Sequence, residues 1–254
     1  MSITSRIELI GLPDLPLIEP GDDLAAMIAG ALDRNGLAPA AHDVLVVAHK
    51  IVSKAEGRLV DLGSVKPSER ARTLAAQTAK DPRLVEVILS ESTRIVRSRP
   101  GLLIAEHRLG YVMANAGVDQ SNVAADGRVL LLPLDPDASA EGLRQRLCAR
   151  FGCALAVIIN DSFGRAWRHG TVGIALGVAG LPAVRDLRGE PDLFGRKLQV
   201  TVVGFADEIA AAASLIMGQA AEKLPVVLVR GLTWKEAPSP ARSLIRPAAE
   251  DLFR

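Results

Sequence analysis

Aromatic side chains are nearly missing: Phe, Trp and Tyr make up 3% of a chain whose apolar total is 49%. The core must therefore be aliphatic, and a surface that holds single-stranded nucleic acid by base stacking is disfavoured. An excess of either charge is missing too. A formal net charge of +1, with both signs mixed along the chain, provides neither a polyanion-binding face nor an acidic tail. Two cysteines, Cys148 and Cys153, are too few for a disulfide scaffold and lack the paired spacing of a zinc site, so both are read as reduced and structural. No apolar run approaches a membrane span, and MSITSRIELIGLP lacks the apolar stretch of a signal peptide. A cytoplasmic protein with no membrane partner is expected. Neither a P-loop nor G-x-G-x-x-G occurs, so any nucleotide is held by a different device. Repeats, linkers and low-complexity tracts are also absent, and the 254 residues are expected to form one compact unit.

What is present is a set of aliphatic runs that each end in polar residues. Leu155–Ile159 reads as a strand covered on both faces. It is expected to stop at Asn160, leaving Asp161 and Ser162 at the strand end, where open α/β sheets tend to place ligands. A carboxylate and a hydroxyl are hard oxygen ligands for magnesium or manganese, and Arg165, Arg168 and His169 follow with chemistry suited to phosphate. Taken alone, the same residues also read as a solvated turn with surface arginines. Asp43–Ala48 is a second buried strand, running into HKIVSKAEGR, where Lys50 and Lys54 hint at an anion site. A third polar loop, NAGVDQSNV, carries Asn115, Asp119, Ser121 and Asn122 after an antiparallel pair built on Leu102–Ala105 and Tyr111–Ala114. Two carboxylates from separate strand ends would suffice for a divalent ion that bridges phosphates.

Other elements are marked by their ends. Ile7–Ile10 is a short strand before a proline-punctuated loop, and Asp22-Asp23 opens a helix that Asn35-Gly36 closes. Pro67–Arg70 starts one outer helix and Pro82 a second, and Asp135 caps the helix that carries Cys148. Gly173–Gly180 suits a strand or turn under close backbone approach. Leu198–Val203 is expected to be a strand, Ala206–Met217 a helix ended by Gly218, and Val226–Arg230 the last strand.

The segments GLPDLPLI, VSKAEGR, NAGVDQSNV, IINDSFGR and MGQAAEKLPVVLVRG, in this order, resemble the GTP-dependent coenzyme F420-0:L-glutamate ligase family, from Ile7 to about Thr233. The resemblance implies an unusual mixed α/β fold, with two interleaved subdomains forming an intertwined homodimer. It places the ligase unit at residues 1–234, followed by a tail at 235–254. The implied reaction adds L-glutamate to a deazaflavin coenzyme precursor through a γ-linked amide, using GTP with Mg2+ or Mn2+ and K+. Leu15, Pro16, Leu17 and Ile18 would lie along the nucleotide, with His49, Lys50, Lys54 and Asn122. Met217, Gly218, Gln219, Ala220, Ala221, Glu222, Lys223 and Leu224 would wrap it. Asp119 and Asp161 would hold a first divalent ion, and Ser162 with Gln219 a second. Asp119, Asp161 and Lys54 would be the catalytic groups, with Arg165 and Arg168 adding positive charge.

Overall fold

The computed structural model describes residues 6–121 and 127–252. The chain begins with β1 (Glu8–Gly11), α1 (Leu24–Arg34), β2 (Val44–Ala48) and α2 (His49–Ala55). There follow β3 (Leu59–Asp61), α3 (Glu69–Thr78), α4 (Pro82–Ser90), β4 (Ser92–Arg99), β5 (Leu102–His107), β6 (Val112–Ala114) and β7 (Arg128–Leu130). The remainder is α5 (Pro136–Phe151), β8 (Ala156–Arg165), β9 (Arg168–Ala179), β10 (Arg185–Asp186), β11 (Val202–Val203), α6 (Phe205–Met217) and β12 (Val226–Arg230). This is the mixed α/β architecture expected from the sequence. The helix starts are capped as the sequence predicts: the side chains of Asp23, Ser68, Asp81 and Asp135 each accept a backbone N–H from the first turn.

A five-stranded mixed sheet, ordered β1-β12-β2-β8-β9, forms the centre, and only β2 and β8 run parallel in it. Alternation along β8 sends Val157, Ile159 and Phe163 to the face covered by α1 and α5, and Ala156 and Ile158 to the face covered by α6. Both faces are dry, which is why β2, β8 and β12 read as continuous aliphatic runs. The edge strand β9 is closed by carboxylates: Asp207 accepts from the Ala175 amide and Asp137 from that of Val178. These side chains occupy groups that a second strand could otherwise pair with.

Two sequence expectations are corrected here. β8 does not stop at Asn160 but continues to Arg165, because β9 pairs with it beyond the end of β2. The strand expected over Leu198–Val203 shrinks to Val202–Val203, which pairs with Arg185–Asp186, and Val200 and Val202 are left exposed with no layer to cover them. A strand was also missed. β4, STRIVRSR, lacks apolar alternation and is legible only through its partner β5.

β4, β5 and β6 form a second, three-stranded sheet, and a separate aliphatic cluster joins β5 to α4 and β7. Glu91, just past α4, ties this part together: Arg58, His107 and Arg108 approach its Oε2 at 3.0, 3.3 and 3.4 Å. The Leu109 amide donates to His107 Nδ1, so the Nε2–H is the atom that faces Glu91. The His107 hydrogen bond, followed by the Arg58 and Arg108 charges, holds the Glu91 carboxyl below its ordinary value against an opposing burial effect. A carboxylate depressed in the folded state contributes stability above the unfolded value of 4.5, and that contribution is lost as pH falls through the folded value. Glu91→Gln is therefore expected to lower the urea midpoint at neutral pH and to flatten its decline below about pH 4.5. Parallel pH profiles for the two proteins would contradict this role.

Candidate active site

Strand order and direction bring the polar loops to one end of the central sheet. The loop after β1, the start of α2, the far half of β8 and the segment before β12 all emerge there, because β12 runs antiparallel to both β1 and β2 and β8 runs parallel to β2. Register makes the first contact. Ala48 of β2 is level with Asn160 of β8, so the next residues, His49 and Asp161, meet at 3.3 Å between Nε2 and Oδ1. His49 is 2% exposed, and its Nδ1 has no hydrogen-bond partner among the described residues. The Ser162 amide also donates to Asp161 Oδ1, at 2.7 Å.

One residue later on α2, Lys50 reaches Asp119 at 2.7 Å and Ser121 Oγ at 2.6 Å. Asp119 is held by β7, which pairs with β3, its backbone bridged to Leu130 in both directions. Burial raises the Asp119 carboxyl, but the Lys50 hydrogen bond, the Ser121 amide and the Lys50 charge together bring it below the ordinary carboxylate range. Consecutive residues of one short helix thus gather carboxylates from two parts of the chain. Lys54 lies one turn after Lys50 on the same face, and burial, then the charge of Lys50, push its ammonium below the ordinary lysine value. An anion placed beside the two lysines would relieve that repulsion.

Asp161 and Ser162 are neighbours in sequence, but alternation along β8 points them to opposite faces, Asp161 toward α2 and Ser162 toward α6. Ser162 therefore belongs with the segment that follows α6. There Gly218 adopts φ +72, and the Glu222 side chain folds back so closely that a Cβ at position 218 would lie 2.1 Å from Glu222 Cδ. Glu222 also accepts from the Ala220 amide at 2.7 Å. Gln219, Ala220, Ala221, Glu222 and Lys223 are exposed, while Met217 and Leu224 are half-buried, Leu224 against the position of Gly11. Asn160, missed as a functional residue, anchors this corner. Its amide donates to Ser214 Oγ and Met217 Sδ at the end of α6, while its Oδ1 is buried without a hydrogen-bond partner among the described residues. The signal was present, since a polar residue closing a buried aliphatic run must find partners.

In the loop after β1, Pro16 and Leu17 are exposed, whereas Ile18 is buried in the core and Leu15 packs against it. Only the backbone of Ile18 remains to face a ligand. The loop is fixed to α2 by the Gly21 amide, which donates to the Ala55 carbonyl. Asn122 lies outside the described residues. Arg165, Arg168 and His169 are not gathered with the aspartates; they sit at the tip of the β8–β9 hairpin, and Arg165 is roughly 13 Å beyond Asp161 at about 3.3 Å per strand residue. No group of three or more His, Cys, Asp and Glu side chains is preassembled for a metal among the described residues. The carboxylates of Asp119 and Asp161, the oxygen-donor type that magnesium takes, are engaged by Lys50 and His49 respectively.

Carboxylates and a lysine gathered at one end of the central sheet of a mixed α/β protein are the arrangement of an α/β enzyme. A family model described as F420-0:Gamma-glutamyl ligase matches residues 13–231. A protein of Methanothermobacter thermautotrophicus named "Coenzyme F420:L-glutamate ligase" is 48% identical over 250 residues, covering 98% of this chain and 99% of the relative. Proteins of the same name from Methanopyrus kandleri and Methanocaldococcus jannaschii are 48% and 42% identical, covering 99% and 98% of this chain and 98% and 97% of their own lengths. The chain belongs to the F420-0:gamma-glutamyl ligase family and is a ligase. No described helix is long and apolar enough to cross a membrane.

Proposed function

We propose that the enzyme joins L-glutamate to the carboxylate of the deazaflavin coenzyme F420-0 at the expense of GTP. The observation that carries the reading is the meeting of Asp161 with His49 and of Asp119 with Lys50 at the start of α2, with Lys54 one turn further along that helix, within a chain that matches its named relatives over nearly its whole length. A carboxylate has no adequate leaving group, so amide formation requires activation. The γ-phosphoryl group passes to the coenzyme's carboxylate, the glutamate amine attacks that acyl phosphate, and phosphate leaves with the nucleotide as GDP. Lys50 and Lys54 would balance phosphate charge, while Asp119 and Asp161 would hold a first Mg2+ or Mn2+, with Ser162 and Gln219 toward a second. A bound divalent ion supplies neutralisation of the charge that develops on the transferring phosphoryl oxygens. His49, buried against Asp161, fixes the orientation of that carboxylate. K+ as a helper ion and a homodimer belong to the same reading.

The test is to incubate purified protein with GTP, Mn2+, L-glutamate and unglutamylated deazaflavin coenzyme, and to follow the coenzyme by mass spectrometry. Added glutamate masses that depend on GTP and metal are the expected result, and their number counts the residues joined. Phosphate release without any mass gain would replace the ligase reading with a nucleotide hydrolase.

A further inference from the structure

Asp119 meets Lys50 as part of a three-membered group. The Ser121 amide donates to Asp119 Oδ1 at 2.7 Å, and the Ser121 hydroxyl to Oδ2 at 2.9 Å. Lys50 Nζ sits in the notch between the two side-chain oxygens, 2.7 Å from Asp119 Oδ2 and 2.6 Å from Ser121 Oγ. The ion pair is part-buried, with the Lys50 side chain 25% and that of Asp119 33% exposed, so solvent screens it only in part. While its hydrogen points to the carboxylate, the Ser121 hydroxyl keeps lone pairs for a cation. The notch also has the dimensions of a metal-ion edge. Neighbouring oxygens around an octahedral magnesium, each about 2.1 Å from it, lie about 2.9 Å apart, which is the spacing of Ser121 Oγ and Asp119 Oδ2.

We propose that Lys50 is the resident cation of a divalent-ion site, that Asp119 Oδ2 and Ser121 Oγ are two of the ion's ligands, and that the ion enters by displacing the ammonium. The inference rests on the proposed metal-assisted reaction and adds to it a ligand, Ser121, and a competitor, Lys50. The two occupancies exclude each other. An ion about 2.1 Å from both oxygens would overlap the position of Nζ, and two cations cannot share one notch. Displacement parts Lys50 from its carboxylate, and an anion beside α2 offers the ammonium a new partner. Divalent ion and anion therefore favour one another's binding, because each takes one member of the same ion pair.

The test is a titration of the protein alone with Mn2+, the free ion being read by electron paramagnetic resonance with no nucleotide, coenzyme or glutamate present. Lys50→Met is expected to bind Mn2+ about tenfold more tightly than wild type, since the ion no longer competes with a part-buried ion pair. Lys54→Met removes the same charge one turn further along α2 and is expected to gain no more than about twofold, as a more distant charge acts more weakly. Adding Ser121→Ala to Lys50→Met removes most of the gain, and adding Asp119→Asn removes all of it. Circular dichroism checks that each variant is folded, with Lys50→Gln as the second variant should Lys50→Met fail to fold. Equal affinity of wild type and the Lys50 variant overturns the assignment, as does an equal gain from Lys54→Met. So does a gain that survives Ser121→Ala, or no Mn2+ binding by the Lys50 variant. No reaction is run, so a protein that binds as expected but does not ligate would retire the ligase reading and leave this inference standing.

Discussion

Asp161→Asn is expected to lower ligation by at least about a hundredfold while leaving the thermal midpoint within a few degrees of wild type. The replacement keeps the shape of the side chain and an oxygen that can accept from the Ser162 amide, the 2.7 Å bond that fixes the carboxylate on its strand. What it removes is the charge, and with it the capacity to hold a divalent ion against phosphate. His49 would retain its buried position, since the aliphatic ends of β2 and β8 around it are untouched. A fully active Asp161→Asn protein would remove Asp161 from the metal assignment. An inactive protein that also unfolds early would show a structural role instead, so circular dichroism and activity are measured on the same preparation.

The second large effect concerns stability. Gly173→Ala is expected to cost about 3 kcal/mol or more, through overpacking against groups that cannot move. A Cβ built at Gly173 would lie 2.1 Å from Ser214 Oγ, 2.5 Å from the Ala210 carbonyl oxygen and 2.7 Å from Asn160 Oδ1. The serine hydroxyl can rotate aside, but the Ala210 carbonyl is part of the backbone of α6. Gly173→Ala combined with Ser214→Ala should therefore remain strongly destabilised. Gly164, on β8 one residue before the tip residue Arg165, has nothing within 4 Å of its hypothetical Cβ, and its alanine variant serves as the mild control. Similar urea midpoints for the two alanine variants would show that α6 does not press on β9 as described. Because Gly173 pairs with Ser162, the damage would reach the site as well as the fold.

Asp161 and the arginines that follow it, expected in one turn, are parted along the β8–β9 hairpin. Extended backbone carries Arg165 and Arg168 away from Asp161, which leaves Lys50 and Lys54 on α2 as the cations of the proposed phosphoryl transfer.

Much of this protein is decided locally and was legible in the residues themselves. Asp23, Ser68, Asp81 and Asp135 cap helices because their short side chains reach the free amides of the first turn. Dry aliphatic runs marked β2, β8 and β12, and the order of five short motifs marked the family. Other features depend on pairings between distant parts of the chain, which no local pattern encodes. β8 runs on to Arg165 only because β9 supplies the missing partner, and β4 is a strand only because β5 lies beside it. His49 meets Asp161 because parallel register sets Ala48 level with Asn160, and Lys50 meets Asp119 because the bridge to Leu130 of β7 holds that loop beside α2. The sequence determined which residues are candidates for the chemistry. Tertiary structure decided which of them touch, since register and chain crossing are set by the packing of whole elements and not by the residues at their ends.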